Sequence, residues 1–237
     1  MALDLQVTKQ LPFYDLNISF SCGEKKMLVL IGPSGGGKTT LVRMLAGLDK
    51  PDRGTITFGD EVWFDSSKNI FMAPRKRRLG YVFQDFVLFP HLTLRENTAF
   101  AAADTGEVDR LMELFHISHL RDRKPHMVSG GERQRCAICQ ALARRPRLLL
   151  MDEPFSALDV VTRRNLREEL KAIKKDLSFP IIYVTHDINE ALYLADDILP
   201  MVDGKEDREW MQRTISESPA RTQPMKAARE QKLALAY

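Results

Sequence analysis

The chain has 237 residues, of which 44% are hydrophobic and 28% charged, and its formal net charge is +3. That length allows a substantial core, and that balance excludes a low-complexity or disordered chain. The mild, dispersed positive charge argues against a nucleic-acid partner. No apolar run approaches the roughly 18 residues that span a bilayer.

Three cysteines, Cys22, Cys136 and Cys139, are too few and too oddly numbered for a disulfide framework. The first residues, Met1 to Leu5, have neither the basic nor the apolar region of a signal peptide, so a cytosolic protein is expected. Cys136 and Cys139 could form a redox or metal pair. With no second pair or nearby histidine, two small apolar residues on one helix face are expected instead.

Tyr14, Leu16, Ile18 and Phe20 alternate with more polar neighbours, the period of a half-buried strand that turns Tyr14 inward. Met27 to Ile31 is continuously apolar, as a buried strand would be, and a glycine-rich loop and a helical stretch follow it. Short strands are expected at Thr55–Phe58, Glu61–Phe64 and Leu79–Phe83. The basic run Arg75-Lys76-Arg77-Arg78 before the last of these reads as a solvated strand entry.

Between Gln84 and Arg145 the apolar spacing becomes helical, at Arg95–Ala103, Val108–Phe115 and Glu132–Arg144. Strands at Arg147–Met151, Ile181–Thr185 and Ile198–Val202 then alternate with helices at Val160–Leu177 and Ile188–Ala195. The pattern predicts an α/β fold with a mostly parallel sheet, an antiparallel β region at the N-terminus and an inserted helical region over residues 84–145. Beyond Gly204 the chain reads as polar and irregular, with a possible short helix at Lys226–Ala236.

Gly32-Pro33-Ser34-Gly35-Gly36-Gly37-Lys38-Thr39 fits the phosphate-binding pattern G-x-x-x-x-G-K-[ST] between a buried strand and a helix. Glycines let backbone N–H groups curl round phosphate oxygens, and the helix start favours negative charge. Lys38 would meet the β- and γ-phosphates, Thr39 would offer Mg²⁺ a hydroxyl, and Thr40 belongs to the same loop. Leu148 to Met151 deliver Asp152 and Glu153 to the strand's carboxyl end, where ligands bind in open α/β sheets. Asp152 suits Mg²⁺ and Glu153 suits polarising a water. Ser129-Gly130-Gly131 opens a helix and forms a second anion nest.

Val128-Ser129-Gly130-Gly131-Glu132 closely resembles the Leu-Ser-Gly-Gly-Gln signature of the ABC transporter ATPases, with Val128 for Leu and Glu132 for Gln. The resemblance runs from about Leu3 to Gly204 in the family's motif order. It implies an ATPase using ATP and Mg²⁺. It also implies a homodimer in which Ser129, Gly130 and Gly131 of one chain close over nucleotide held by the other. Gln84 matches the glutamine that touches Mg²⁺ and the attacking water. Ser156 to Asp159 matches the loop that communicates between protomers, and His186 matches the switch histidine at the γ-phosphate. The family stacks adenine on an N-terminal aromatic residue, and Phe13 is the better candidate here because Tyr14 is expected to face inward.

Phe64-Asp65, Pro74, Lys76 to Arg78, Gly80 to Asp85 and Leu88 to His91 resemble the importer ATPases for molybdate, tungstate and sulfate, the molybdate members most. Iron, polyamine and sugar importers carry similar stretches. Exporters and the soluble DNA-repair or translation ATPases fit less well. The implied partners are transmembrane permease subunits and, indirectly, a substrate-binding protein, with no nucleic acid. The implied place is the cytoplasmic face of the membrane. Many such relatives carry an extra C-terminal β-domain. About 33 residues after Gly204 are too few for one, so a short or truncated form is expected.

Overall fold

The computed structural model describes residues 1–85, 87–100, 102 and 104–217. Strands β1 (Leu3–Gln10), β2 (Asp15–Cys22) and β3 (Met27–Ile31) lead into helix α1 (Lys38–Ala46). Then come β4 (Arg53–Phe58), β5 (Glu61–Asp65), β6 (Ile70–Phe71) and β7 (Leu79–Val82). Helices α2 (Leu94–Ala99), α3 (Thr105–Leu114) and α4 (Gly130–Ala143) fill the middle. The last third alternates: β8 (Leu148–Asp152), α5 (Val160–Lys174), β9 (Ile181–Thr185), α6 (Ile188–Leu194), β10 (Asp197–Val202), β11 (Lys205–Glu206) and α7 (Arg208–Glu217).

Two sheets result. One is antiparallel in the order β2-β1-β4-β5-β6. The other runs β11-β10-β3-β9-β8-β7 and is parallel apart from the short β11. Strand alternation explains why β3, β8 and β9 are buried at every position and apolar up to the terminal Asp152 of β8 and Thr185 of β9. Leu28, Leu30, Leu148, Leu150, Ile182 and Val184 point to a core shared with α1 and the antiparallel sheet. Met27, Val29, Ile31, Leu149, Met151 and Tyr183 point to a second core beneath α4, α5 and α6. A sheet covered on both faces needs apolar residues at both phases of its strands.

Cys136 and Cys139 are buried free thiols on α4. Cys136 Sγ lies 3.5 Å from Leu94 O, and Cys139 Sγ lies 3.5 Å from Leu111 O. Burial pushes the Cys136 thiol up to about 11 and the Cys139 thiol well above its ordinary range. They behave as packing residues that fasten α4 to its neighbours. Among the described residues no helix is long and apolar enough to cross a membrane.

Two expectations need correction. Among the described residues after Gly204 the chain is not irregular, because β11 and α7 occupy it. Asp207 Oδ1 accepts from Trp210 N at 2.8 Å, starting α7, and Trp210, Met211 and Ile215 pack on the core. The expected helix at Lys226–Ala236 lies outside the described residues, as do residues 101 and 103 of the expected helix Arg95–Ala103.

The basic run is also not uniformly solvated. Arg75, Lys76 and Arg78 are exposed, whereas Arg77 is completely buried. Arg77 Nη1 donates to Met44 O and Leu45 O, each at 2.7 Å, and Nε donates to Met72 O at 3.0 Å. Its guanidinium lies 5.3 Å from the Trp63 ring centroid and 5.5 Å from that of Phe71. The cation therefore meets the negative end of α1, donating to Leu45 O and adding a second donor to Met44 O, which also accepts from Gly47 N at 3.1 Å. Burial pulls its pKa down to about 10, still far above neutrality.

Arg77→Met keeps the volume but removes the guanidinium donors from the Met44, Leu45 and Met72 carbonyls, of which Met44 O keeps the Gly47 N–H at 3.1 Å. It is expected to lower the unfolding free energy by about 2–4 kcal/mol. Urea denaturation checks this, and an unchanged midpoint would show that the carbonyls do not depend on the guanidinium.

Candidate active site

Parallel pairing of β7, β8, β9 and β3 brings their carboxyl ends to one edge of the sheet. The loop Gly32–Gly37 leaves β3 there and enters α1 through Gly37, whose φ of 93° is left-handed. A Cβ on Gly32 would sit 1.9 Å from Met201 O, so the loop start can lie against β10 only as glycine. Gly204 N donates to Gly36 O at 3.2 Å, and the Tyr14 hydroxyl donates to Gly35 O.

That last contact corrects the expected inward packing of Tyr14. Leu16 and Ile18 are buried, but Tyr14 is half-buried just before β2 and reaches the glycine loop. Phe13, in the preceding turn, is 95% exposed.

Lys38 is 4% exposed, and its Nζ donates to Gly32 O at 2.9 Å and Pro33 O at 2.8 Å. Burial lowers its pKa, while the charges of Glu153 and Asp152 act in the opposite sense. Thr39 Oγ1 donates to Asp152 Oδ1 at 3.2 Å, and the Tyr81 hydroxyl donates to Asp152 Oδ2 at 3.4 Å. Asp152 is 3% exposed. Burial raises its pKa, the Thr39 bond lowers it, and nearby Glu153 raises it further.

Sequence patterns alone assign Tyr81 no role in the site. Its ring stacks on Phe83 with centroids 4.0 Å apart, and burial pushes its hydroxyl pKa up. The signal needed to find it was strand order, since only the pairing of β7 with β8 sets it beside Asp152.

Glu153 takes a φ of 45°, a left-handed backbone that a long side chain rarely adopts. Glu153 N donates to Val184 O at 3.1 Å, and Glu153 O accepts from Ser156 N at 3.2 Å and Ser156 Oγ at 2.9 Å. This turn sets Glu153 Oε2 3.0 Å from His186 Nδ1. Lys38, Thr39, Asp152, Glu153 and His186 thus meet at one edge of the sheet. Gln84 follows β7 and is exposed.

The signature residues lie elsewhere. Ser129 caps α4 in a reciprocal box with Glu132: Ser129 N donates to Glu132 Oε2 at 2.7 Å, and Glu132 N donates to Ser129 Oγ at 3.3 Å. Ser129, Gly131 and Glu132 line a cavity of about 250 Å³ with His116, Arg135 and Thr162 among its walls, and none of Lys38, Asp152 or Glu153 lines it. Asp159 caps α5, its Oδ1 accepting from Val161 N and Thr162 N at 3.0 Å each.

The Thr39 hydroxyl in the first turn of α1 and the Asp152 carboxylate at the end of β8 form a sparse, hard-oxygen donor pair. That pair fits Mg²⁺, which keeps waters and takes further ligands from substrate phosphates.

Residues 16–156 match the family model described as ABC transporter. Two curated relatives are close. The molybdenum import ATP-binding protein ModC of Rhodospirillum rubrum is 45% identical over 210 residues, covering 86% of this chain and 56% of that protein. The molybdate/tungstate import ATP-binding protein WtpC of Archaeoglobus fulgidus is 41% identical over 211 residues, covering 86% of this chain and 85% of that protein. The chain therefore spans little more than half the length of the first relative. Among solved structures, the ATP-binding cassette MJ0796, a dimer in a post-hydrolysis state bound to ADP and Pi, superposes with a TM-score of 0.71 at 28% identity, covering 88% of this chain and 97% of that one. Strand order, phosphate loop, acid-ended strand and sequence likeness agree, and the chain belongs to the ABC transporter family.

Proposed function

We propose that the chain is the ATP-hydrolysing subunit of an importer for an oxyanion such as molybdate or tungstate. The observation that carries the hydrolytic part is the convergence of Lys38, Thr39, Asp152, Glu153 and His186 at one sheet edge. The ModC and WtpC relatives, import proteins for molybdenum and for molybdate or tungstate, support the transported class.

In this reading the Gly32–Gly37 loop and Lys38 bind the triphosphate, with Pro33, Ser34 and Thr40 shaping the loop and helix start. Lys38 Nζ already faces carbonyl oxygens of the loop, and phosphate oxygens make stronger acceptors for the same cation. Thr39 and Asp152 would hold Mg²⁺, which supplies charge neutralisation at the phosphates. Gln84, exposed two residues after the end of β7, would add its amide oxygen to that set. Phe13, exposed in the turn before Tyr14, would offer its ring to adenine.

Glu153 orients the attacking water and draws its proton, and His186 holds the Glu153 carboxylate in place from the side of β9. The Ser129-Gly130-Gly131 nest completes the partner protomer's site, and Asp159 fixes the loop between them. The dimer works beneath transmembrane permease subunits on the cytoplasmic face, supplied indirectly by a substrate-binding protein.

Glu153→Gln keeps the shape of the site but removes its base. Steady-state hydrolysis should fall about 100-fold or more, and an ATP-bound dimer should accumulate on size-exclusion chromatography. Hydrolysis at the wild-type rate would remove Glu153 from the proposed role. Lys38→Ala should instead weaken nucleotide binding itself, as read by titration with a fluorescent ATP analogue.

Mixing Lys38→Ala and Ser129→Ala subunits should restore one complete composite site per heterodimer, and ATP-dependent dimerisation with it. Absence of any rescue would count against a site shared between two chains. Uptake assays with the permease, using molybdate, tungstate and sulfate, test the transported class. Preference for an unrelated solute would overturn the oxyanion assignment.

A further inference from the structure

His186 is exposed, so side-chain packing does little to fix it. What surrounds its backbone is different. Thr185 is 3% exposed at the end of β9, and Glu190 is 4% exposed on α6. Glu190 Oε2 accepts from Thr185 Oγ1 at 2.8 Å and from the Tyr183 hydroxyl at 3.1 Å. Thr185 Oγ1 in turn accepts from Asp187 N at 3.0 Å. Asp187 Oδ1 accepts from Asn189 N at 2.7 Å and from Glu190 N at 3.4 Å.

These bonds close a ring. Starting at the Glu190 carboxylate, it passes through the Thr185 hydroxyl to the Asp187 amide, and through the Asp187 carboxylate back to the Glu190 amide. His186 is the residue the ring encloses on both sides, and its Nδ1 lies 3.0 Å from Glu153 Oε2.

A carboxylate in the core is costly unless its oxygens are satisfied, and an apolar residue would fill the same space at lower cost. Burial raises the Glu190 pKa, while the Thr185 and Tyr183 hydroxyls work in the opposite sense. The group earns its place through what it holds.

We propose that Glu190 is a positioning residue for His186: by anchoring Thr185 and Tyr183 it fixes the peptide that aims the imidazole at Glu153. This inference rests on the reading of His186 given above.

The test uses the full chain as the ATPase, with Glu190→Ala and Glu190→Gln each made alone and combined with His186→Ala. Glu190→Ala should lower kcat about tenfold or more, the scale of losing the partner that orients a working imidazole, while KM for ATP stays within about twofold. Glu190→Gln keeps an acceptor oxygen for both hydroxyls and should retain most of the activity. In the His186→Ala background Glu190→Ala should cause no further loss, because both act through one imidazole.

An equal loss in both backgrounds, or a change in KM with kcat untouched, would overturn the proposal. Should Glu190→Ala fail to fold, Thr185→Val removes the link from the carboxylate to the Asp187 amide, and the same cycle applies. Undiminished hydrolysis by His186→Ala alone would bring down the reading of His186 itself. A full effect of His186→Ala with additive loss from Glu190→Ala would bring down only this inference.

Discussion

Parallel pairing of strands covered on both faces is the constraint from which the active edge follows. β3, β8 and β9 have no polar face, so nothing along their lengths can bind a charged ligand. Polar chemistry is pushed to the strand ends, and parallel pairing sends those ends to the same side. Lys38, Asp152 and His186 are far apart in sequence, yet Asp152 ends β8, His186 follows β9, and the Gly32–Gly37 loop carries the chain from the end of β3 to Lys38. The two cores hold this geometry from opposite faces, one under α1 and the antiparallel sheet, the other under α4 to α6.

The charges at that edge work partly against their surroundings. Lys38 and Asp152 are both nearly buried, and burial disfavours the charged form of each. Their opposite signs, together with the Thr39 and Tyr81 hydroxyls on the two Asp152 oxygens, offset part of that cost. The arrangement suits a site meant to receive more charge. A polyanion and its cation bring compensating partners to both groups, and low surrounding polarisability strengthens each contact.

Much of this was legible in the sequence. Continuous apolar runs marked β3, β8 and β9, and the glycine loop and the two acids marked the strand ends. Helical spacing located the inserted helices, although α2 begins at Leu94 and ends at Ala99. Other features depend on phase and neighbourhood that a linear reading does not supply. Four consecutive bases give no sign that Arg77 alone turns inward, because its partners are carbonyls of Met44, Leu45 and Met72. Tyr14 fitted the alternation of β2, but it precedes that strand and follows the turn instead. In α7, Trp210, Met211 and Ile215 lie among charged residues that hide their shared face. The capping box of Ser129 with Glu132 could have been found from its spacing, and it explains how glutamate serves at that position.

The left-handed backbone at Glu153 sets two selective pressures in opposition. Asparagine or glycine would relax the peptide there, so variants enriched purely for thermal tolerance should drift toward those residues. Each such change discards the carboxylate facing His186. Under the proposed function, engineering this chain for robustness would therefore trade endurance against throughput at a single position, and hardening mutations are better sought far from the end of β8.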